Sequence, residues 1–249
     1  MIILKSPSAL ARMRDAGRIV AQVLQRMREV VRPGVTTAQL EEEACALMAR
    51  LGGRPSFKGY HGFPAVICSS INEEVVHGIP DLHRVLAEGD IVSVDVGAIY
   101  HGYQGDAAIT LPVGRVTPEV ERLLAVTERA LWKGIAQSRQ PNRLGDISAA
   151  IQSYVESQGF NVVREYTGHG IGRLMHEDPQ IPNFGQPRTG PRLRSGMTFA
   201  LEPMVIAGDW RTRTLDDGWT VVSSDGALSA HFEHTLAVTE DEPEVLTSL

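Results

Sequence analysis

The sequence predicts an α+β protein, and three observations carry that reading. Helix-period apolar stretches come in pairs. Short apolar runs rich in β-branched residues follow each pair, and the same order then repeats in the second half of the chain. From about Ser8 to Val31, apolar or small residues recur at Leu10, Met13, Gly17, Val20, Leu24, Met27 and Val31. Steps of three and four make one helix face, which Pro33-Gly34 stops. Thr36 and Gln39 form a capping box for a second helix ending near Gly52-Gly53. Thr117-Pro118 opens a third helix, with the proline at its first position. A fourth runs from Asp146 to Gln158 and ends at Gly159.

The runs Ala65–Ser69, Ile91–Tyr100, Ala107–Val113, Thr198–Ile206, Trp219–Ser223 and His231–Thr239 are too short for helices and predict strands. Asp178 to Gly196, with four prolines and three glycines, reads as one long loop. There is also a faint internal echo at an offset of 108 residues. Pro33 and Pro141 each precede a helix, and each stands 28 residues before a histidine-glycine pair, His61-Gly62 and His169-Gly170. Two similar halves would explain it, and so would chance.

The 249 residues suffice for a large core within a single domain spanning 1–249. A net charge of −6 argues against phosphate-backbone binding as the main task. The run Ile2–Leu4 is too short for a signal peptide, and no stretch approaches the roughly 20 apolar residues that cross a bilayer. Two cysteines, Cys45 and Cys68, make neither a disulfide framework nor a thiolate zinc cluster. A cytoplasmic protein is expected.

Carboxylates embedded in strand sequence are the strongest chemical signal. Asp95 interrupts an apolar strand, and Asp106 lies in the strand that returns. With the turn centred between Tyr100 and His101, the two face each other directly, about 5 Å apart at Cβ. Opposed like charges destabilise a hairpin, so a proton or a cation between them is implied; a longer turn would instead leave one Asp in solvent. Glu202 sits in the apolar run Phe199–Ile206, next to Pro203, which denies a ladder hydrogen bond and marks an edge or opening. Glu233 shares a face with His231 and Thr235, and taken alone could simply face solvent. Buried together, several carboxylates call for a divalent cation. His169, framed by Gly168 and Gly170, adds an imidazole where the backbone can approach a neighbour closely. One imidazole with four carboxylates suits Mn, Fe, Co or Zn and is unlike a structural zinc site. Such a set is enough for two ions sharing bridging carboxylates.

Read in order, Asp95, Asp106, Gly-His169-Gly-Ile-Gly, His176-Glu-Asp-Pro, Leu-Glu202-Pro and Glu233-His-Thr resemble the type I methionine aminopeptidases of bacteria, over nearly the whole chain. The resemblance implies the pita-bread (creatinase/aminopeptidase) fold, two pseudo-symmetric halves around a central antiparallel sheet. It implies two divalent metal ions (Co, Mn, Fe, Zn or Ni), with Asp95 on one, His169 and Glu202 on the other, and Asp106 and Glu233 as bridges. Glu202 would be the general base for a bridging water that attacks the first peptide carbonyl. His77 and His176 would contact the scissile amide and its carbonyl. The methionine pocket would use Tyr60, Phe63, Cys68 and Trp219, with Phe57 and Met175 nearby. Here phenylalanine at positions 57 and 63 and methionine at 175 replace the cysteine, tyrosine and phenylalanine common in the family.

The expected partners are N-termini of nascent polypeptides, met at the ribosome by a monomeric enzyme, with no nucleic-acid or membrane contact. Rival readings are an Xaa-Pro peptidase or creatinase, expected to need an N-terminal domain of over a hundred residues, and a type II enzyme, expected to carry a helical insertion. A third is a metal-free binding protein on the same fold, which would have lost some of the five ligands.

Overall fold

The structure, a computed structural model, describes residues 1–249. Its first half runs α1 (Pro7–Val30), α2 (Thr37–Arg50), β1 (Arg54–Pro55), β2 (Cys68–Ile71), β3 (Glu74–Val76) and the hairpin β4 (Ile91–Tyr100)–β5 (Tyr103–Pro112). The second runs α3 (Pro118–Gln137), α4 (Leu144–Ser157), β6 (Asn161–Val162), β7 (Thr167–Gly170), β8 (Glu177–Pro182), β9 (Thr198–Leu201) and β10 (Met204–Ile206). After β11 (Thr212–Thr214) and β12 (Val221–Ser223) it closes with β13 (Ser229–His231), β14 (His234–Ala237) and β15 (Glu244–Val245). An offset of 108 residues carries α1 and α2 onto α3 and α4 within three residues, and β4 onto β9–β10 within two. Two similar halves are therefore present.

The helices begin where their caps dictate. Ser6 accepts from the Ala9 amide ahead of Pro7, and Thr36 and Gln39 bond each other's backbone amides at 3.2 and 2.9 Å. Thr117 caps α3, again ahead of a proline. Helix α4 starts at Leu144, two residues earlier than expected, because Asp146 occupies its third position and accepts from the Arg143 amide at 2.7 Å. Gly159, at φ 80°, ends it. The buried stripes of α1 and α3 pack on one face of the sheets. Ile19, Val23 and Met27 of α1 join Leu131 and Ile135 of α3 in one core with Val92, Val94, Val96, Ile109 and Leu111 of the hairpin.

The hairpin register differs from expectation. Tyr100 pairs with Tyr103, so the turn is His101-Gly102, both at positive φ (47° and 76°), and Asp95 lies opposite Ala108 while Asp106 lies opposite Gly97. The turn is displaced by one residue along the chain, which shifts pairing by two and leaves every side chain on its expected face. Asp95 and Asp106 are thus diagonal neighbours on the face away from the helices. The stretch expected to be one loop from Asp178 to Gly196 is also corrected: it begins inside β8, which pairs with β7 despite its prolines at 179 and 182.

The runs around Glu202 and Glu233 are each broken. Glu202-Pro203 separates β9 from β10, and Phe232-Glu233 separates β13 from β14, so β9 pairs with β14 and β10 with β13 in two different sheets. At this double break the hairpin docks. Glu233 and Ala108 exchange backbone hydrogen bonds of 2.9 and 3.4 Å. On either side a threonine hydroxyl takes the place of a ladder partner. Thr235 Oγ1 accepts from the Asp106 amide (3.0 Å) and donates to its carbonyl (2.7 Å). Thr110 Oγ1 does the same with His231, both at 2.8 Å. This seam joins the two halves of the molecule.

Candidate active site

Every residue expected at the site lines one cavity of about 160 Å³: Asp95, Asp106, His169, Glu202, Glu233, His77, His176, Tyr60, Phe63, Cys68 and Trp219. Phe57 and Met175 line it too, as do Val76, Tyr166, Thr167 and Met204, which the sequence reading passed over. The sequence held a weak signal for these four, since each lies within four residues of a named site residue.

The seam fixes the acids. Asp106 sits between the Thr235 bonds, Glu233 is held by Ala108, and Glu202 occupies the gap opened by Pro203. Asp95 projects from the centre of β4. Asp106 and Glu233 are buried, Asp95 and Glu202 are partly so, and Asp95 Oδ1, Asp106 Oδ1 and Glu233 Oε1 have no hydrogen-bond partner. Burial pushes every one of these carboxyls up, Asp95 to about 7 and the others well above the ordinary range, with the neighbouring acids adding to the rise for Asp106, Glu202 and Glu233.

His169 is placed by its glycines. A Cβ at Gly168 would lie 2.5 Å from the Ala200 carbonyl oxygen, and one at Gly170 2.1 Å from that of Asp178, so the strands flanking β7 close in only because both neighbours are glycine. Its Nδ1 lies 2.9 Å from the Gly170 carbonyl, which can only accept, so Nδ1 carries the proton and Nε2 presents a lone pair. Burial holds this imidazole neutral, lowering it to about 4. That lone pair faces Asp106 Oδ2 at 3.8 Å and Glu202 Oε1 at 3.6 Å. A lone pair and two carboxylates pointing at one another repel unless a proton or a cation lies between them.

Single donor atoms from Asp106, His169 and Glu233 lie within 4.8 Å of one another. Bonds of about 2.1 Å put two ligands of one ion at most about 4.2 Å apart, so a small inward shift closes this set on a cation. The oxygen-rich donor set and its orphaned buried oxygens therefore fit a divalent metal.

The rest of the cavity is different in kind. Phe57, Phe63, Cys68 and Met175 belong to a small satellite core against which Tyr60 and Trp219 pack, and Phe63 meets Trp219 edge to face at 5.2 Å. They are core residues and cavity wall at once. His176 bridges the two regions: its ring is 4.1 Å from that of His169 and its Nδ1 is 2.8 Å from the Tyr60 hydroxyl. His77, at φ 60° in the left-handed region, lies edge to face with Tyr166 at 5.8 Å. Burial and the nearby His176 lower His77 to about 4.

An α+β fold with a carboxylate–imidazole cluster beside an apolar cavity fits a metal-dependent hydrolase. A model of metallopeptidase family M24 matches residues 11–240, and the chain belongs to that family. It is 52% identical to the methionine aminopeptidase of Clostridium acetobutylicum over 99% of both chains, and 52% identical to methionine aminopeptidase 1 of Bacillus subtilis with the same coverage. The crystal structure of methionine aminopeptidase from Thermotoga maritima superposes with a TM-score of 0.99 at 51% identity, each chain fully covered. The prolidase from Pyrococcus furiosus shares the pita-bread fold (TM-score 0.79) at 18% identity, and this chain covers 66% of its length.

Proposed function

We propose that the chain is a methionine aminopeptidase that removes the N-terminal methionine from peptides and nascent proteins. The observation that carries this is the joining, in one cavity, of a buried acid cluster with an aromatic and sulfur-containing wall. A free amino terminus is drawn to the acids while an apolar, unbranched side chain lies on the wall.

In this reading Asp95, Asp106, His169, Glu202 and Glu233 hold two divalent cations, Co, Mn, Fe, Zn or Ni. Asp95 would serve one and His169 and Glu202 the other, with Asp106 and Glu233 contributing to both. Bound metal supplies Lewis acidity and a water acidic enough to act near neutral pH. Glu202 would act as the general base, taking a proton from the attacking water and returning it to the leaving amine.

His176 is lowered by burial and by His61, and with the Tyr60 hydroxyl donating to its Nδ1, its Nε2 keeps a proton to donate to the scissile carbonyl oxygen. Neutral His77 approaches the scissile amide from the other side, where a ring nitrogen can accept from its N–H. Beyond the scissile bond the peptide leaves past Ile3, Leu174 and Gln180, which line a groove that shares His169 and His176 with the cavity. Nascent chains at ribosomes in the cytoplasm supply such N-termini, and the chain acts there as a monomer.

The test is direct. Protein stripped by chelator should release free methionine from Met-Ala-Ser only after Co²⁺ or Mn²⁺ is restored, with full recovery at two equivalents. Release confined to residues preceding proline, with Met-Ala-Ser untouched, would overturn the assignment.

A further inference from the structure

His231 is not among the residues given a task above, yet it is one of the most confined side chains at the site. It is 1% exposed, and its backbone is gripped on both sides by the Thr110 hydroxyl, which Ser93 supports at 2.8 Å. Its Nε2 is buried and has no hydrogen-bond partner. The polar atoms it faces are Oε2 of Glu202 and Oε2 of Glu233, each at 3.9 Å. Both are acceptors when ionised, so the tautomer with the proton on Nε2 is the one that fits.

Glu202 therefore lies between two imidazoles of opposite character. His169 offers a lone pair on the Oε1 side, because its own proton is spent on Gly170. His231 offers an N–H on the Oε2 side. We propose that His231 is a positioning residue that donates its Nε2–H to Oε2 of Glu202, leaving Oε1 for the cation, and that spaces Glu202 from Glu233. The proposal deepens the aminopeptidase reading and rests on it. At 3.9 Å neither separation is yet a hydrogen bond, and an approach of about 1 Å by the carboxylate would complete one. An imidazole with only a packing role would not aim a buried, unpaired nitrogen at two carboxylates, since that costs free energy with nothing to offset it.

Two substitutions separate these roles. His231→Leu keeps the bulk and removes the donor, while His231→Gln offers an amide N–H at similar reach. Three quantities are measured on the full chain: Co²⁺ affinity of stripped protein by calorimetry, kcat and KM on Met-Ala-Ser after Co²⁺ loading, and the melting temperature of stripped protein. For His231→Leu, Co²⁺ affinity should fall about 10- to 100-fold. Its kcat should fall by about tenfold or more with KM little changed, as expected when a transition-state contact is loosened. Its stripped melting temperature should hold or rise. His231→Gln should recover most of both losses. If His231→Leu fails to fold, His231→Asn, whose amide falls short, replaces it with the same expected losses. Wild-type Co²⁺ affinity and kcat in the leucine or asparagine variant would overturn the proposal, and so would a glutamine variant no better than leucine. Failure of the loaded wild type to release methionine would instead reject the aminopeptidase reading, with the Co²⁺ arm still reporting on His231.

Discussion

Glu202 differs from the other three acids in having one oxygen toward each of two histidines, which makes it the carboxylate best placed to exchange a proton as well as to bind. Glu202→Gln keeps its size and hydrogen-bonding reach but abolishes proton acceptance. We expect the variant to fold and to retain at least one metal ion per chain, while kcat on Met-Ala-Ser falls by about 10²- to 10⁴-fold, the usual worth of a positioned base. Turnover within tenfold of wild type would move the base elsewhere. A second expectation concerns the wall. Phe63 and Trp219 meet at 5.2 Å, and Phe63→Ala removes the ring against which the side chain of the first residue would lie. KM for Met-Ala-Ser should rise by about tenfold or more, with kcat less affected, as for lost ground-state binding; an unchanged KM would place the methionine side chain elsewhere.

At the scale of elements, what positions the acids is the seam where the hairpin meets the broken strands. Thr235 contributes two buried hydrogen bonds to the Asp106 backbone, and Thr235→Val is close to isosteric while deleting both. Its cost should be about 2–4 kcal/mol of stability, since an amide and a carbonyl are left unpaired in a dry interior. Co²⁺ affinity should weaken with it, because Asp106 loses its register. A valine variant with wild-type unfolding free energy, measured by urea titration, would show that the seam does not need this contact. The same seam explains which parts of the molecule could be read from sequence. Helix periodicity and caps are local, so all four helices were placed within two residues at their starts. An acid inside an apolar run is local too, so Asp95, Glu202 and Glu233 stood out. The hairpin register is not legible because Gly102 marks a turn without fixing its centre, and the other positive φ falls on His101, a non-glycine residue. The double break at Glu202-Pro203 and Phe232-Glu233 depends on a hairpin about a hundred residues away, and proline alone hinted at it. Strand β8 was hidden because Pro179 and Pro182 are unusual in a paired strand.

Over the whole molecule, the buried groups oppose one another in a way that sets the pH dependence of stability. Asp95 titrates at about 7 in the folded protein against 3.8 ordinarily, and Asp106, Glu202 and Glu233 are raised as well. A raised acid means that the folded chain holds more protons than the unfolded one, so its contribution falls as pH rises toward and through the folded value. The buried histidines have the opposite sign. His77, His169 and His234 are lowered to about 4 and His231 to about 3, from 6.5, so their contribution is complete above 6.5 and is lost as pH falls below it. At pH 6.5 the histidines are half protonated in the unfolded chain and oppose the acids only in part, and their share fades toward pH 8, so the acids dominate across this range. Chelator-stripped protein should therefore melt at progressively lower temperature across that range. Saturating Co²⁺ reverses the balance, since it binds the ionised acids and neutral His169, and binding to the folded state alone adds stability. The gap between loaded and stripped melting temperatures should accordingly widen from pH 6.5 to 8, a trend that scanning calorimetry at three pH values would resolve. Parallel curves would mean that the four carboxylates are not what the cation compensates, and the case for a metal at this cavity would lose its physical basis.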